Sequence, residues 1–168
     1  VVGEGVGVFA LKRLSDALRD GDRVHALVRG TGLSNDQDGR LLAPSEEGQL
    51  RAMRAAYREA GWAPQSVDLV ECHATGTPVG DAVELGSLRR LWAEHTGTGR
   101  AQRCAIGSVK SNVGHLLTGA GAAGIAKVLG AFEHATLPPS ANVERSIVDA
   151  SDPFEVLNEA RPWASRRE

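Results

Sequence analysis

The sequence predicts an α/β fold, and three observations lead to that prediction. Apolar, strand-like segments alternate with segments of helical periodicity along most of the chain. The segments 67–71 and 104–109 are short and largely apolar, as strands buried on both faces are. Polar and hydroxyl residues follow these two segments directly, at the edge where parallel sheets usually bind ligands. We therefore expect a sheet covered by helices on both faces, with a site at one edge.

Composition limits the class of protein. The chain has 168 residues, of which 42% are hydrophobic and 24% charged, so we expect one packed domain rather than disorder. The net charge is -2 without a basic stripe, and 4% of residues are aromatic, which disfavours nucleic-acid partners. No apolar run approaches the roughly 18 residues that a membrane span requires. We expect neither a nucleic-acid nor a membrane partner.

The two cysteines, Cys72 and Cys104, are too few for a disulfide framework and indicate a reducing, cytoplasmic compartment. No signal peptide is visible. The only methionine is Met53, and the chain begins in a strand-like segment. We expect this chain to be part of a longer protein.

In the first third of the chain we predict two strands, at 6–14 and 23–30, with a helical turn at 15–19 between them. A polar loop follows at 31–44. We then predict a helix from Ser45, a favourable N-cap, to Gly61, which suits a left-handed C-cap. Its apolar positions recur at helical spacing: Leu50, Met53, Tyr57 and Ala60.

In the middle of the chain we predict a strand at 67–71, followed by a helix that Asp81 and Glu84 open as a capping box. The next predicted strand is 104–109. The core face of the helix between them is predicted as Leu85, Leu88, Leu91 and Trp92.

Towards the end of the chain we predict a helix at 119–134 and a last strand at 154–157. The helix is apolar nearly all round, which predicts that it is buried, and Pro138 and Pro139 prevent it from continuing.

Two histidines follow predicted strands, each in a loop of small and hydroxyl residues. His73 precedes Thr75 and Thr77, whereas His115 follows Lys110 and Asn112. Two neutral imidazoles that donate N–H to one oxygen form an oxyanion hole, and losing one such donor costs about 3 to 4 kcal/mol. The pattern predicts a site that stabilises a polarised carbonyl.

Structural interpretations of the same residues remain open. His73 could be a loop histidine that bonds to backbone, and Lys110 could extend its ammonium group to water. If 108–112 is extended, Ser108, Lys110 and Asn112 share one face. The charge of Lys110 would then fix a histidine or stabilise developing negative charge.

Metal and dinucleotide sites are weaker alternatives. The two histidines are far apart in sequence, and no HExxH motif or carboxylate at ligand spacing accompanies them, so we predict no metal. Residues 119–124 match G-x-G-x-x-G, with Glu144 downstream, but no strand directly precedes the glycines. We interpret these glycines, and likewise Gly3, Gly5 and Gly7, as sites of close packing.

Five segments of the chain together match a known pattern: 3–7, 73–77, 80–84, 110–115 and 137–142. They resemble, in order and across almost the whole chain, the β-ketoacyl synthase (ketosynthase) domains of polyketide and fatty-acid synthases. The resemblance implies a thiolase-like αβαβα fold, of which this chain covers mainly the C-terminal half. It also implies a homodimer or a part of a larger synthase, in the cytoplasm that the cysteine content indicates.

The resemblance implies an acyltransferase that extends a cysteine-bound acyl chain by decarboxylative Claisen condensation with a malonyl-type unit. The partner is acyl carrier protein, and no cofactor is expected beyond its phosphopantetheine arm. His73 and His115 match the histidines that support decarboxylation and hold the thioester oxygen, and Lys110 matches the lysine that organises the second histidine. The two threonines of the first loop match residues that hydrogen-bond the phosphopantetheine arm. The predicted substrate-binding residues are Thr75, Thr77 and Asn112.

The chain departs from the family at its nucleophile. The family cysteine lies in an Ala-Cys-Ser-Ser type segment upstream of Val1, and neither Cys72 nor Cys104 matches it. The closing Gly-Phe-Gly-Gly-Thr-Asn type segment is missing beyond Glu168. Residues 1–168 are therefore predicted to be a partial ketosynthase domain that cannot form the acyl-enzyme alone.

Two further positions refine the resemblance. Ala74 stands where glycine is common, and we expect ordinary dihedral angles there because a positive φ would cost energy. Gly124 stands where stand-alone bacterial enzymes tend to have glutamate, which favours polyketide-type relatives. The stretches 41–61 and 71–74 look most like those of polyunsaturated-fatty-acid or enediyne synthases.

Three alternatives remain open. A non-condensing partner of the chain-length-factor type tends to lose the catalytic histidines, which this chain retains. A thiolase-like or synthase III-type enzyme uses a different His/Asn pairing from that of 110–115. A module that docks acyl carrier protein without chemistry would not need His73 and His115 for its function.

Overall fold

The computed structural model describes residues 1–35, 44–95 and 103–163. The described residues contain two short 3₁₀ turns, Pro64–Ser66 and Leu117–Gly119. In chain order the helices and strands of these residues are α1 Leu14–Asp20, α2 Glu46–Ala60, β1 Leu69–Glu71, α3 Pro78–Ala93, β2 Cys104–Gly107, α4 Lys110–Val113, α5 Ala120–Glu133, β3 Thr136–Leu137, β4 Phe154–Glu155 and β5 Arg161–Pro162.

The main sheet is parallel, with strand order β1-β2-β4. Leu69 lies opposite Ala105, and Cys104 opposite Phe154. Helix α3 connects β1 to β2, since parallel neighbours require a crossover connection. Strands β3 and β5 form a separate antiparallel pair. The alternation of strands and helices confirms the α/β prediction, although the strands are shorter than expected.

The core lies between this sheet and the helices α2 and α3. Leu50, Leu91 and Phe154 have no exposed surface. The Trp92 ring packs edge-on against Phe154, with centroids 4.8 Å apart. The predicted core face of α3 is confirmed, because all four of its residues are buried: Leu85, Leu88, Leu91 and Trp92.

The predicted ends of α2 are also confirmed. The Ser45 hydroxyl accepts a hydrogen bond from the Gly48 N–H at 3.3 Å, and Gly61 takes a left-handed φ of 69°. The predicted capping box of α3 is wrong, because the helix begins earlier, at Pro78. Asp81 and Glu84 instead accept backbone N–H groups from the loop that precedes the helix.

Several predicted strands are absent or shorter. The segments 6–14 and 23–30 form no strand, and the only bridge near the N-terminus of the described chain joins Val2 to His115. A strand requires a paired neighbour, and the described residues provide none for these two segments. The predicted loop 31–44 falls partly on residues 36–43, which lie outside the described ranges.

Helix α5 is less buried than its composition predicts. Gly124 and Ala131 are buried, but Ile125 and Phe132 are 53% and 48% exposed. The described residues cover only one side of this helix, which explains the wrong prediction. Large apolar side chains of the N-terminal segments are also exposed: Val6, Val8, Leu11 and Val28. Within the described ranges, no helix has the length and apolar character that crossing a bilayer requires.

Candidate functional site

The two predicted histidines lie together at one edge of the parallel sheet. His73 follows β1, and His115 follows β2 by way of the short helix α4. Because β1 and β2 are adjacent and parallel, the loops after them leave the sheet at the same edge. The two imidazole centroids are 5.5 Å apart, and the ring planes cross at 85°. The structure thus places both rings in one site, as the sequence predicts.

Glu84 of α3 fixes the backbone of the first loop. Its carboxylate accepts the N–H groups of His73 and Ala74, at 2.6 and 2.8 Å. Ala74 has a φ of 29°, so the expectation of ordinary dihedral angles there is wrong. The two hydrogen bonds to a charged acceptor offset the cost of this conformation, since such bonds are about twice as strong as neutral ones.

The second loop fixes the proton of His115. The Leu117 N–H donates to His115 Nδ1 at 2.9 Å. A nitrogen that accepts a hydrogen bond has no proton, so the proton of the neutral ring is on Nε2. Leu117 has a φ of 50°, so the backbone directly after this contact is strained. His115 therefore offers an Nε2–H donor, as an oxyanion hole requires.

The N-terminal residues hold the backbone of this second loop. The Gly3 N–H donates to the His115 carbonyl at 3.0 Å, and the His115 N–H donates to the Val1 carbonyl at 3.0 Å. A Cβ on Gly3 would collide with the Val113 carbonyl, and one on Gly5 would collide with the Leu116 side chain. The prediction of close packing at these glycines is confirmed, although they do not form a regular strand.

Lys110 does not lie on an extended face with Ser108 and Asn112, because residues 110–113 form a helical turn. Ser108 is buried, and its hydroxyl accepts the Lys110 N–H at 3.4 Å. Within the described ranges, the Lys110 ammonium makes no hydrogen bond or ion pair, although Lys110 and His115 line the same cavity. Its side chain lines two neighbouring cavities of about 390 and 600 Å³.

The cavities divide the predicted site residues. Thr75 and His115 line the 390 Å³ cavity, and His73 lines the 600 Å³ cavity. Thr77 and Asn112 line neither, although the hydroxyl oxygens of Thr75 and Thr77 are 3.3 Å apart. Asn112 is exposed and accepts a hydrogen bond from the neighbouring Ser111 hydroxyl. The structure thus gathers Thr75, Thr77, Lys110 and the two histidines at one edge, with Asn112 on its surface.

Sequence reasoning missed an ion pair next to the two histidine loops. Glu71 ends β1, and its carboxylate accepts hydrogen bonds from Lys127 Nζ at 2.7 Å and from the Val109 N–H at 2.6 Å. The side chains of Glu71 and Lys127 are 16% and 10% exposed. The available signal was a carboxylate at the end of an apolar strand and a lysine within an apolar helix, since neither charge is buried without a partner.

The two cysteines are buried, and Cys72 is unsuited to act as a nucleophile. Burial, followed by the nearby carboxylates of Glu84 and Glu71, raises the pKa of the Cys72 thiol well above its ordinary value. The reactive species of a cysteine is the thiolate, and this environment disfavours it. Among the described residues, no three potential metal-ligating side chains come together.

Comparison with known proteins places this site in context. A sequence profile of the β-ketoacyl synthase C-terminal domain matches residues 25–144. One component of the polyunsaturated fatty acid synthase of Thraustochytrium sp. is 46% identical over 172 residues, which cover 97% of this chain and 6% of that protein. The chain thus spans a small part of the length of this relative.

Solved structures show the same fold. The ketosynthase from module 6 of the bacillaene synthase of Bacillus subtilis 168 is 38% identical, with a TM-score of 0.84. The match covers 93% of this chain and 29% of the ketosynthase chain. The ketosynthase domain OzmH KS7 from oxazolomycin biosynthesis in Streptomyces albus JA3453 is 37% identical, with a TM-score of 0.85 over 94% and 28%. The likeness confirms the expected thiolase-like α/β fold, of which this chain matches a part.

Proposed function

We propose that this chain, which belongs to the β-ketoacyl synthase family, supplies the decarboxylation part of a ketosynthase active site. The enzyme would be a condensing acyltransferase of polyketide or polyunsaturated-fatty-acid synthesis. The observation that carries the proposal is the approach of the two imidazoles to 5.5 Å at the sheet edge. The Nε2–H that the Leu117 contact leaves on His115 supports it.

The proposed chemistry begins with a malonyl thioester on acyl carrier protein. The bond between the carboxylate carbon and the α-carbon breaks, carbon dioxide leaves, and the electron pair moves through the α-carbon onto the thioester oxygen. N–H groups of His73 and His115 donate to this developing enolate oxygen. The enolate carbon then attacks an acyl thioester on a cysteine outside this chain, and the thiolate leaves.

The remaining predicted residues take supporting roles in this proposal. The Lys110 ammonium lies between the two cavities and adds positive charge to the region in which the enolate forms. Thr75 and Thr77 offer neighbouring hydroxyls to the amides of the phosphopantetheine arm. Asn112, exposed on the helical turn that begins with Lys110, is proposed as a further substrate contact. No cofactor of the chain itself is required.

We propose that residues 1–168 act within a longer ketosynthase domain of a cytoplasmic homodimer. The exposed apolar side chains of α5 and of the N-terminal segments support this proposal, because they form a surface that a larger fold would cover. Fewer than a third of the residues of each solved ketosynthase above align with this chain, which also supports it.

A carbon dioxide release assay on the complete ketosynthase, with labelled malonyl carrier protein, tests the function. We expect His73→Ala and His115→Ala each to slow release by about 10²- to 10³-fold, because each removes an oxyanion donor. His95→Ala, an exposed histidine just after α3 that lines neither cavity, serves as the matched control. A module that only docks carrier protein predicts unchanged release in both site variants, and that result would reject the assignment.

A further inference from the structure

We propose that Glu71 and Lys127 form a positioning pair that holds both histidine loops in their reactive arrangement, a role that rests on the function proposed above. Glu71 Oε2 accepts a hydrogen bond from Lys127 Nζ at 2.7 Å. Glu71 Oε1 accepts one from the Val109 N–H at 2.6 Å. One carboxylate thus joins the end of β1, the loop after β2 and the middle of α5.

Each of these attachment points is close to a proposed catalytic residue. Glu71 is two residues before His73, and Val109 directly precedes Lys110 on the path to His115. A shift of the Glu71 carboxylate would therefore move both loops relative to each other. A displacement of about 1 Å at a reacting group can cost about 10²-fold in rate, so such a shift would be visible in catalysis.

The space around the pair fits these two side chains closely. Gly124 lies three residues before Lys127, on the same face of α5, and a Cβ there would be 3.0 Å from Glu71 Cγ. On the other side, a Cβ on Gly107 would lie 3.7 Å from Lys127 Nζ. The Glu71 side chain packs against α5 at Gly124, where there is no side chain in the way. The Lys127 side chain extends to Gly107 at the end of β2.

Burial argues that the pair contributes more than stability. The Glu71 side chain is 16% exposed and that of Lys127 is 10% exposed. In no other ion pair among the described residues are both side chains so little exposed. Removing two charges from water is costly, and apolar substitutes for a buried pair are often neutral or stabilising. Charges that remain so little exposed, and that join the segments leading to both histidines, indicate a positional requirement.

The test measures carbon dioxide release and acylation of the complete ketosynthase as separate half-reactions. We expect Glu71→Gln and Lys127→Met each to lower kcat of decarboxylation by about tenfold or more with KM for malonyl carrier protein unchanged. Lys127→Arg keeps a cation in reach of the carboxylate and should retain most of the rate. The acylation half-reaction should be affected far less.

The double variant Glu71→Gln with Lys127→Met leaves no unpaired buried charge, so it keeps the fold even where a single variant does not. It should be no slower than the slower single variant, because the two residues act as one unit. The matched control is Glu155→Gln, which breaks a 2.8 Å pair with Arg161 beside the opposite end of β2.

The outcomes are separable. Normal decarboxylation in the folded double variant, equal losses in Lys127→Arg and Lys127→Met, or equal loss in both half-reactions would each overturn the positioning role. If these occur while His73→Ala and His115→Ala remain slow, the proposed function stands without the pair. If the histidine variants themselves release carbon dioxide at the normal rate, the function fails and the pair proposal falls with it.

Discussion

The carboxylate of Glu84 should be essential to the first histidine loop, and Glu84→Gln tests this. In the structure it accepts two backbone N–H groups, from His73 at 2.6 Å and from Ala74 at 2.8 Å. Glutamine has one carbonyl oxygen and one amide nitrogen of similar shape. It can accept one of these N–H groups, whereas its own NH₂ then faces the other donor.

The magnitude follows from that count of hydrogen bonds. A hydrogen bond to a charged group contributes about 1.5 to 3 kcal/mol, and a neutral one about 1 kcal/mol. Glu84→Gln loses one charged bond and converts the other to a neutral one, so we expect the free energy of unfolding to fall by about 3 kcal/mol. The loop with positive φ at Ala74 would then relax, and decarboxylation should slow with it.

The assay is urea-induced unfolding of the complete ketosynthase together with its carbon dioxide release. Glu47→Gln is the matched control, since Glu47 on α2 is an exposed carboxylate paired with Arg54 and Arg90. Exposed pairs contribute little, so this variant should resemble the wild type. A loss of stability in Glu84→Gln no larger than that in Glu47→Gln would refute the reasoning.

Three further predictions concern stability and reactivity. The hydrogen bond from Arg89 lowers the pKa of the buried Asp152 below its ordinary 3.8. The stabilisation by this pair is therefore present above that value and is lost as pH falls through the lower folded pKa. Asp152→Asn should make the free energy of unfolding depend less on pH between about pH 6 and 2, and an unchanged slope would contradict this. Ala74→Gly should raise the free energy of unfolding in urea by about 1 kcal/mol because it relieves the positive φ, and a loss would show that the strain is absent. The isolated 168-residue chain should not accept an acyl group from a thioester, and acyl transfer that survives replacement of Cys72 and Cys104 would overturn this.

The sequence predicts best those features that local residues determine. The ends of α2 follow from local residues: the Ser45 side chain caps its first turn, and Gly61 has no side chain to hinder a left-handed C-cap. The core face of α3 follows from helical spacing alone. The proximity of His73 and His115 was predictable because the carboxyl ends of parallel strands meet at one edge.

Features that depend on residues distant in sequence could not be predicted from local sequence. Glu84 has the spacing of a capping residue, and only the folded loop shows that its carboxylate serves His73 and Ala74 instead. Residues 108–112 contain nothing that forbids an extended strand, yet the Ser108 carbonyl and hydroxyl bond the following N–H groups and start a helical turn. The pairing of Glu71 with Lys127 joins residues far apart in sequence.

The hydrogen bonds that Glu71 and Glu84 accept from the two loops have a common physical cause at the sheet edge. The last ladder contact after β1 is the Cys72 N–H to the Gly107 carbonyl, at 2.7 Å. Beyond the paired strands, the loop N–H groups have no strand to pair with and need another acceptor. Two carboxylates accept them: Glu84 those of His73 and Ala74, and Glu71 that of Val109.

In the proposed function, the contacts of Glu71 and Glu84 leave the imidazoles free to act as donors. Because carboxylates fix the loop backbones, the imidazole side chains need not hold the loops themselves. Among the hydrogen bonds of the described residues, the His115 ring takes part through Nδ1, as an acceptor, and Nε2–H stays available. An oxyanion hole stabilises charge without reorganisation only if its donors are positioned before the reaction. These half-buried carboxylates would supply that positioning without touching the substrate. We therefore expect changes at Glu71 and Glu84 to slow decarboxylation.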